Sequence, residues 1–237
     1  MRLAQHLVHS GICSRRAAIK MIAEGLVSID GNVASHPVTV TGNEEIIADG
    51  KRAVLPKQCT YMIYNKPVGI DCNCVANNPD SIVNHVTLPT RLFPVGRIDK
   101  DSHGLMLLTN DGVLCQQLLS PDYSHPKTYL VTVEPHYQLP DIGTEFQQKM
   151  SMGIELDTVV TRPCKLKLLS KNHFEITLTQ GLNRQIRRMS RSLGYKVINL
   201  QRIAIMNLSL QGLALNQLRE LTSEEIQILK ANIASPQ

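Results

Sequence analysis

The chain has 237 residues and a formal net charge of +5 at pH 7, with 43% apolar, 19% charged and 4% aromatic residues. That balance excludes a disordered chain, a collagen-like chain and a disulfide-stapled miniprotein, leaving a globular mixture of helix and strand. No window reaches the roughly 20 unbroken apolar residues of a membrane span, no secretory apolar stretch opens the chain, and six scattered cysteines suit a reducing compartment, so a cytoplasmic protein without membrane contact is expected.

Residues 1–50 read as a separate unit. Leu3, Leu7 and Val8 sit at helical spacing ahead of Gly11, and Ser14 is a good N-cap for a second helix. In that helix Ile19, Ile22, Ala23 and Leu26 form the apolar stripe, while Arg16 and Lys20, four apart, share another face. The period then changes to two: Val27, Ile29, the turn Asp30-Gly31 and Val33 spell a hairpin. Residues 51–58, with Lys51, Arg52 and Lys57, read as a basic linker, and 59–237 as a second domain.

The second domain begins with a strand at 61–64, stopped by Asn65-Lys66-Pro67, and has another at 105–109, stopped by Asn110-Asp111-Gly112. Lys66 and Pro67 read as strand-end structure. A short helix at 113–119 and a strand at 128–133 follow. Residues 174–179 alternate Phe174, Ile176 and Leu178 with polar neighbours, the pattern of a half-buried strand. Asn183 then caps a helix with the stripe Ile186, Met189 and Leu193, ended by Gly194. Residues 197–210 return to strand, and Ser223 opens a last helix over 224–231.

Charge is unevenly spread. From Arg162 to Arg202 there are ten basic residues and one acid, Glu175, so a polyanionic partner is expected. Arg184, Arg187, Arg188 and Arg191 crowd the helix after Asn183 with no acid three or four residues away, and at a helix N-terminus the macrodipole adds to their positive potential. A second constellation runs from Gly96 through Arg97, Ile98, Asp99, Lys100, Asp101 and Ser102 to Gly104. Asp101 and Ser102 read as turn chemistry, whereas Asp99, beside apolar Ile98, is a candidate for partial burial, which calls for a cation partner. Cys72 and Cys74 have no second pair at zinc spacing and the eight histidines show no paired-ligand spacing, so no metal site is expected.

Four ordered motifs carry a family resemblance: Tyr64-Asn65-Lys66-Pro67-x-Gly69, Gly96-Arg97-Ile98-Asp99-x-Asp101-Ser102-x-Gly104-Leu105, Lys127-x-Tyr129-Leu130-Val131, and Gly181-Leu182-Asn183-Arg184-Gln185-Ile186-Arg187-Arg188-Met189. In order and spacing they resemble the ribosomal pseudouridine synthases of the RsuA/RluF group. Gly11 to Arg16 and Val27-x-Ile29-Asp30-Gly31 resemble the S4 RNA-binding module that precedes the catalytic domain there. Within the group, the arginine motif followed by Arg202-Ile203-x-Ile205-Met206-Asn207 looks closest to the RluF branch, which acts on large-subunit ribosomal RNA.

The resemblance implies an α+β architecture: a small S4 domain of helices and a short sheet, then a synthase domain with a mainly antiparallel sheet flanked by helices. It implies conversion of a specific uridine to pseudouridine without a cofactor, which breaks the C1′–N1 bond, turns the base and joins C1′ to C5. Asp99 is then the catalytic carboxylate, as nucleophile or base. Arg187 is the cation that keeps it ionised, Tyr129 stacks on the displaced uracil, and Arg97 and Ile98 support the site. Arg2, Arg15, Arg16, Lys20, Arg184, Arg188 and Arg191 are the expected RNA-binding residues. Ribosomal RNA is the expected partner, with transfer RNA a second substrate, and a monomer is expected. A non-catalytic S4-type RNA-binding or ribosome-assembly factor is the alternative. A glycosidase using Asp99 and Asp101 is poor, because a flexible loop would not fix the separation of about 5 to 9 Å that its two carboxylates need.

Overall fold

The computed structural model describes residues 1–88, 90–120, 124–136 and 139–234. Contacts divide the chain into two units, one comprising 1–60, 88–93 and 109–112, the other 61–87, 94–108 and 113–237.

In the first unit α1 (Leu3–His9) and α2 (Arg15–Ala23) precede a sheet of order β2-β1-β3-β4 built from β1 (Val27–Ile29), β2 (Asn32–Val33), β3 (Ile46–Ala48) and β4 (Lys51–Arg52). Ser14 caps α2 as expected, its Oγ accepting from the Ala17 amide at 3.2 Å. Asp30 and Gly31 both take positive φ, 48° and 80°, which the two-residue hairpin turn requires. Two expectations change. The buried face of α2 is Ala18 and Ile22, packed with Leu3, Leu7 and Val27, while Ile19 and Leu26 are exposed. Residues 51–53 are part of the sheet, not linker: Lys51 and Arg52 pair with Ala48 and Ile47, and Ala53 is buried, its amide donating to the Ile46 carbonyl. Two adjacent exposed basic residues on a two-residue edge strand look like a linker to a composition reading.

The second unit contains β5 (Tyr61–Lys66), β6 (Phe93–Pro94), β7 (His103–Thr109), α3 (Gly112–Leu119), β8 (Lys127–Pro135), α4 (Thr144–Met152), β9 (Glu155–Leu156), β10 (Val159–Val160), β11 (Lys165–Leu168), β12 (His173–Leu178), α5 (Gln185–Ser192), β13 (Tyr195–Ile205), β14 (Leu208–Ser209), β15 (Leu218–Glu220) and α6 (Ser223–Ala234). Its main sheet has the order β11-β12-β8-β13-β7-β5-β15. Pairing is antiparallel through β11, β12, β8 and β13, and the step from β13 to β7 is parallel. The class is α+β.

Two apolar cores flank that step. Under β8, β12 and β13, Phe146 of α4 meets Phe174 and Tyr195 edge-on at 5.3 and 5.0 Å. Around β5 and β7, Ile63, Leu105 and Leu107 pack with Leu114 of α3 and Leu229 of α6. The parallel contact is only Gln201–His103 and Arg202–Gly104. There the backbones approach so closely that a Cβ on Gly104, whose φ is +108°, would collide with the Arg202 carbonyl oxygen.

Candidate active site

A cavity of about 920 Å³ opens along this junction. It is lined by the loop before β7, the end of α3, Lys127 and Tyr129 of β8, the segment from β12 into α5, and Leu200 and Arg202 of β13. Its size suits a nucleotide.

The loop carrying Asp99 is fixed from beneath by the chain that follows β5. The Gly69 amide donates to the Lys100 carbonyl at 2.8 Å, and the buried Cys72 thiol to that of Ile98 at 3.2 Å. Lys66 is fully buried, and its ammonium ties down the same turn by donating to the Pro67 and Ile70 carbonyls at 2.9 and 2.7 Å. Burial lowers its pKa. Two of the sequence motifs are therefore one structural piece. Ile98 is buried, Arg97 is exposed, and the Asp99 side chain on the cavity wall is 26% exposed.

The arginine helix approaches from the other side. Arg184, rather than Asn183, occupies the N-cap, in the left-handed region at φ 49°, ψ 34°. A non-glycine residue held there stores roughly 1 kcal/mol or more of strain, which other contacts must offset. The fully closed fork between Arg184 and Asp101, at 3.0 and 2.7 Å, supplies one such contact. Gln185 supplies a second, its Oε1 accepting from the Leu182 amide at 3.0 Å. Arg184 holds the Asp101 carboxyl below its usual range and also reaches Asp99, at 3.8 Å.

Arg187, half-buried, interacts electrostatically with both Asp101 and Asp99 and also holds the backbone around them. Its guanidinium donates to the Val197 carbonyl at 3.0 Å, the Asp101 carbonyl at 2.9 Å and Ser102 Oγ at 3.1 Å, so it clamps the loop backbone to β13. Among the described residues the cation within 4 Å of Asp99 is Arg184. Arg188 pairs with Asp157 at 2.6 Å, and Arg191 is exposed. The arginine helix is thus met by acids from distant segments.

Tyr129 lies partly buried on the cavity wall, opposite Ile176 on β12 and Arg202 on β13. Arg202, one of the ten basic residues of the segment from 162 to 202, is 2% exposed, with Nε donating to the Leu105 carbonyl at 2.7 Å. Lys127, two residues before Tyr129 and so on the same face, also lines the cavity. Its place in the Lys127-x-Tyr129 spacing was the available signal. In the first unit, Arg2, Arg15, Arg16 and Lys20 are all exposed, and Lys20 is 3.6 Å from Glu24. Among the described residues no cluster of histidine, cysteine and acids is arranged to hold a metal, and no helix is long and apolar enough to cross a membrane.

A half-buried carboxylate, a tyrosine face and several cations around a nucleotide-sized cavity, in a chain that also carries a small basic unit, define a nucleic-acid-modifying enzyme. The family model described as RNA pseudouridylate synthase matches residues 60–192, and that of the S4 domain matches 1–46. The chain belongs to the RNA pseudouridylate synthase family, with an S4 domain ahead of the catalytic one, and is an RNA-modifying isomerase. It is 41% identical to the dual-specificity RNA pseudouridine synthase RluF of Salmonella typhi, over 95% of this chain and 77% of that one. It is 35% identical to the ribosomal large subunit pseudouridine synthase B of Bacillus subtilis, over 97% and 96%. A crystal structure of a pseudouridylate synthase superposes with a TM-score of 0.68 at 29% identity, covering 97% of this chain and 99% of that one.

Proposed function

We propose that this enzyme isomerises one uridine of large-subunit ribosomal RNA, with transfer RNA as a second substrate, acting as a monomer in the cytoplasm. The observation that carries the reading is Asp99 itself, a half-buried carboxylate on the wall of a cavity shared with Tyr129 and the first turn of α5. The names of relatives that act on RNA with dual specificity and on the large subunit support the choice of substrate.

In this reading the target uridine leaves its stack and enters the cavity, where Tyr129 holds the uracil face. Asp99 acts on the sugar as the C1′–N1 bond breaks, and the retained base turns to present C5. Arg184 stands 3.8 Å from Asp99, and Arg187 interacts with it electrostatically while fixing the loop. Arg97, Arg188 and Arg191 meet phosphates beside the cavity, and Arg2, Arg15, Arg16 and Lys20 meet them on the S4 domain, contacts that give affinity without naming a base. Mapping pseudouridine in ribosomal and transfer RNA from cells with and without the gene tests it. Loss of modification at one large-subunit uridine is expected, and identical maps would overturn the assignment.

A further inference from the structure

The cavity contains a cation that the foregoing chemistry does not use. Lys127 and Tyr129 project from one face of β8, and Arg202 faces Tyr129 across the antiparallel pair with β13. All three line the cavity that holds Asp99. Lys127 is mostly buried, and its ammonium, with three protons to donate, makes a hydrogen bond to the His125 carbonyl at 3.2 Å. Among the described residues no carboxylate lies within 4 Å of it.

Among the described residues, the charged groups that act on Lys127 are cationic or neutral. Arg202 approaches from β13, and His125 lies in the loop leading into β8. Opposite Lys127 the sheet offers apolar Leu178 on β12 and Ile205 on β13. Arg202 has committed its guanidinium to the Leu105 carbonyl and to Met106 Sδ, at 2.7 and 3.1 Å, and does not need Lys127 as a partner. Two buried cations side by side, with no acid paired to them among the described residues, cost stability, and burial together with Arg202 pushes the Lys127 pKa down to about 8. An arrangement of this kind is relieved when negative charge enters the cavity.

The chemistry of the substrate says which charge that is. RNA phosphates stay hydrated and meet exposed groups such as Arg97. What reaches a buried ammonium is the flipped base, which is neutral when it arrives and becomes anionic only during reaction. We propose that Lys127 is a further catalytic residue, whose ammonium hydrogen-bonds a ring carbonyl oxygen of uracil as the base leaves C1′. The electron pair of the C1′–N1 bond departs with N1, and its charge spreads over the ring and its carbonyl oxygens. When C5 joins C1′ that pair is used, the C5 proton is lost and N1 gains one, so no co-reactant is required. The gain is realised only while the charge exists, which makes it a contribution to rate rather than to binding. Arg202 is the positioning residue behind it.

This inference deepens the uridine-isomerising reading and rests on it. Single-turnover rates on ribosomal RNA transcript, measured against protein concentration and pH, test it with wild type, Lys127→Met and Lys127→Arg. Lys127→Met should lower the saturated rate by about 100-fold or more, with RNA affinity within about threefold of wild type. Lys127→Arg keeps a cation that does not titrate, so it should retain most of the rate and lose the alkaline fall near pH 8. Lys127→Met should also melt no lower than wild type at pH 7, where a purely structural lysine would make it melt lower. An unchanged plateau, or a loss confined to affinity, would make Lys127 a bystander or a phosphate contact and overturn the proposal. If Lys127→Met does not fold, the proposal falls unless Lys127→Arg shows the shifted alkaline limb. An active wild type matched by Lys127→Met removes only this inference, whereas a wild type inactive on every RNA removes the underlying reading as well.

Discussion

The cations near the cavity fall into two regions that solve the same electrostatic problem in opposite ways. On the α5 side, Arg184 and Arg188 are closed by Asp101 and Asp157, acids drawn from the loop before β7 and from the turn between β9 and β10. On the β8–β13 side, the acceptors of Lys127 and Arg202 among the described residues are neutral, the His125 and Leu105 carbonyls and Met106 Sδ. Exposed ion pairs in high dielectric contribute little and exchange readily with an incoming phosphate, while a buried cation without an acid keeps its potential directed at the cavity. The difference teaches that cation count alone misidentifies where positive potential is available. Asp99 stands between the two regions, with Arg184 at 3.8 Å and no closed fork of its own.

The most severe way to break this division is at Asp99. Asp99→Asn keeps the shape and removes the charge, and the single-turnover rate should fall at least about 10⁴-fold while RNA affinity stays near wild type. Full activity in that variant would dissolve the catalytic role. Next in size is the junction itself: Gly104→Ala puts a methyl group against the Arg202 backbone at a φ that side chains resist, so denaturant unfolding should show a loss of about 3 kcal/mol.

Lys127→Met sharpens the contrast on the stability side. Its pKa is depressed from about 10.5 to about 8, so between those values the unfolded chain binds a proton that the folded chain does not, and wild-type stability rises with pH across that window. Below pH 8 both states are protonated and the full burial cost is present. The variant should therefore be more stable than wild type at pH 7 by on the order of 2 kcal/mol, and the gain should shrink toward pH 10.5, as followed by urea titration at several pH values.

The smallest effects separate the two arginines. Arg187 is 14% exposed and fastens the Asp101 and Ser102 backbone to Val197, so Arg187→Met should cost about 2 kcal/mol. Arg184 is 44% exposed, and Arg184→Met should cost less than about 1 kcal/mol. The Arg184–Asp101 contribution is complete above the ordinary aspartate range and is lost as pH falls through the lowered Asp101 value, so the difference between wild type and Arg184→Met should vanish in acid. Equal costs at neutral pH would mean that Arg187 is no more a clamp than Arg184.

Much was legible in the sequence because it is written locally. Ser14 at its cap, the Asp30-Gly31 turn and the alternation ending in Leu178 each report a backbone preference that tertiary context did not reverse. The motif order was sufficient for the family and for Asp99 as the candidate carboxylate. Helix α4 escaped notice because only Phe146 and Met150 mark its buried side, in a polar, glycine-capped segment too short to show a period. Asn183 looked like the cap because its side chain suits that position, yet the fork to Asp101 stabilises Arg184 there instead.

What only the tertiary structure decided is which charges meet. The search for acids near the arginines looked three and four residues away, whereas Arg184 finds Asp101 across 83 positions and Arg188 finds Asp157 across 31. Arg202 and Lys127 differ from Arg191 in nothing that a one-dimensional count can register. Their burial follows from the register of β8 against β13 and from the glycine that lets β7 close on β13. Local patterns specify elements because backbone preference acts between neighbours, while desolvation and Coulomb attraction depend on distances in space, which exist only once the sheet has assembled.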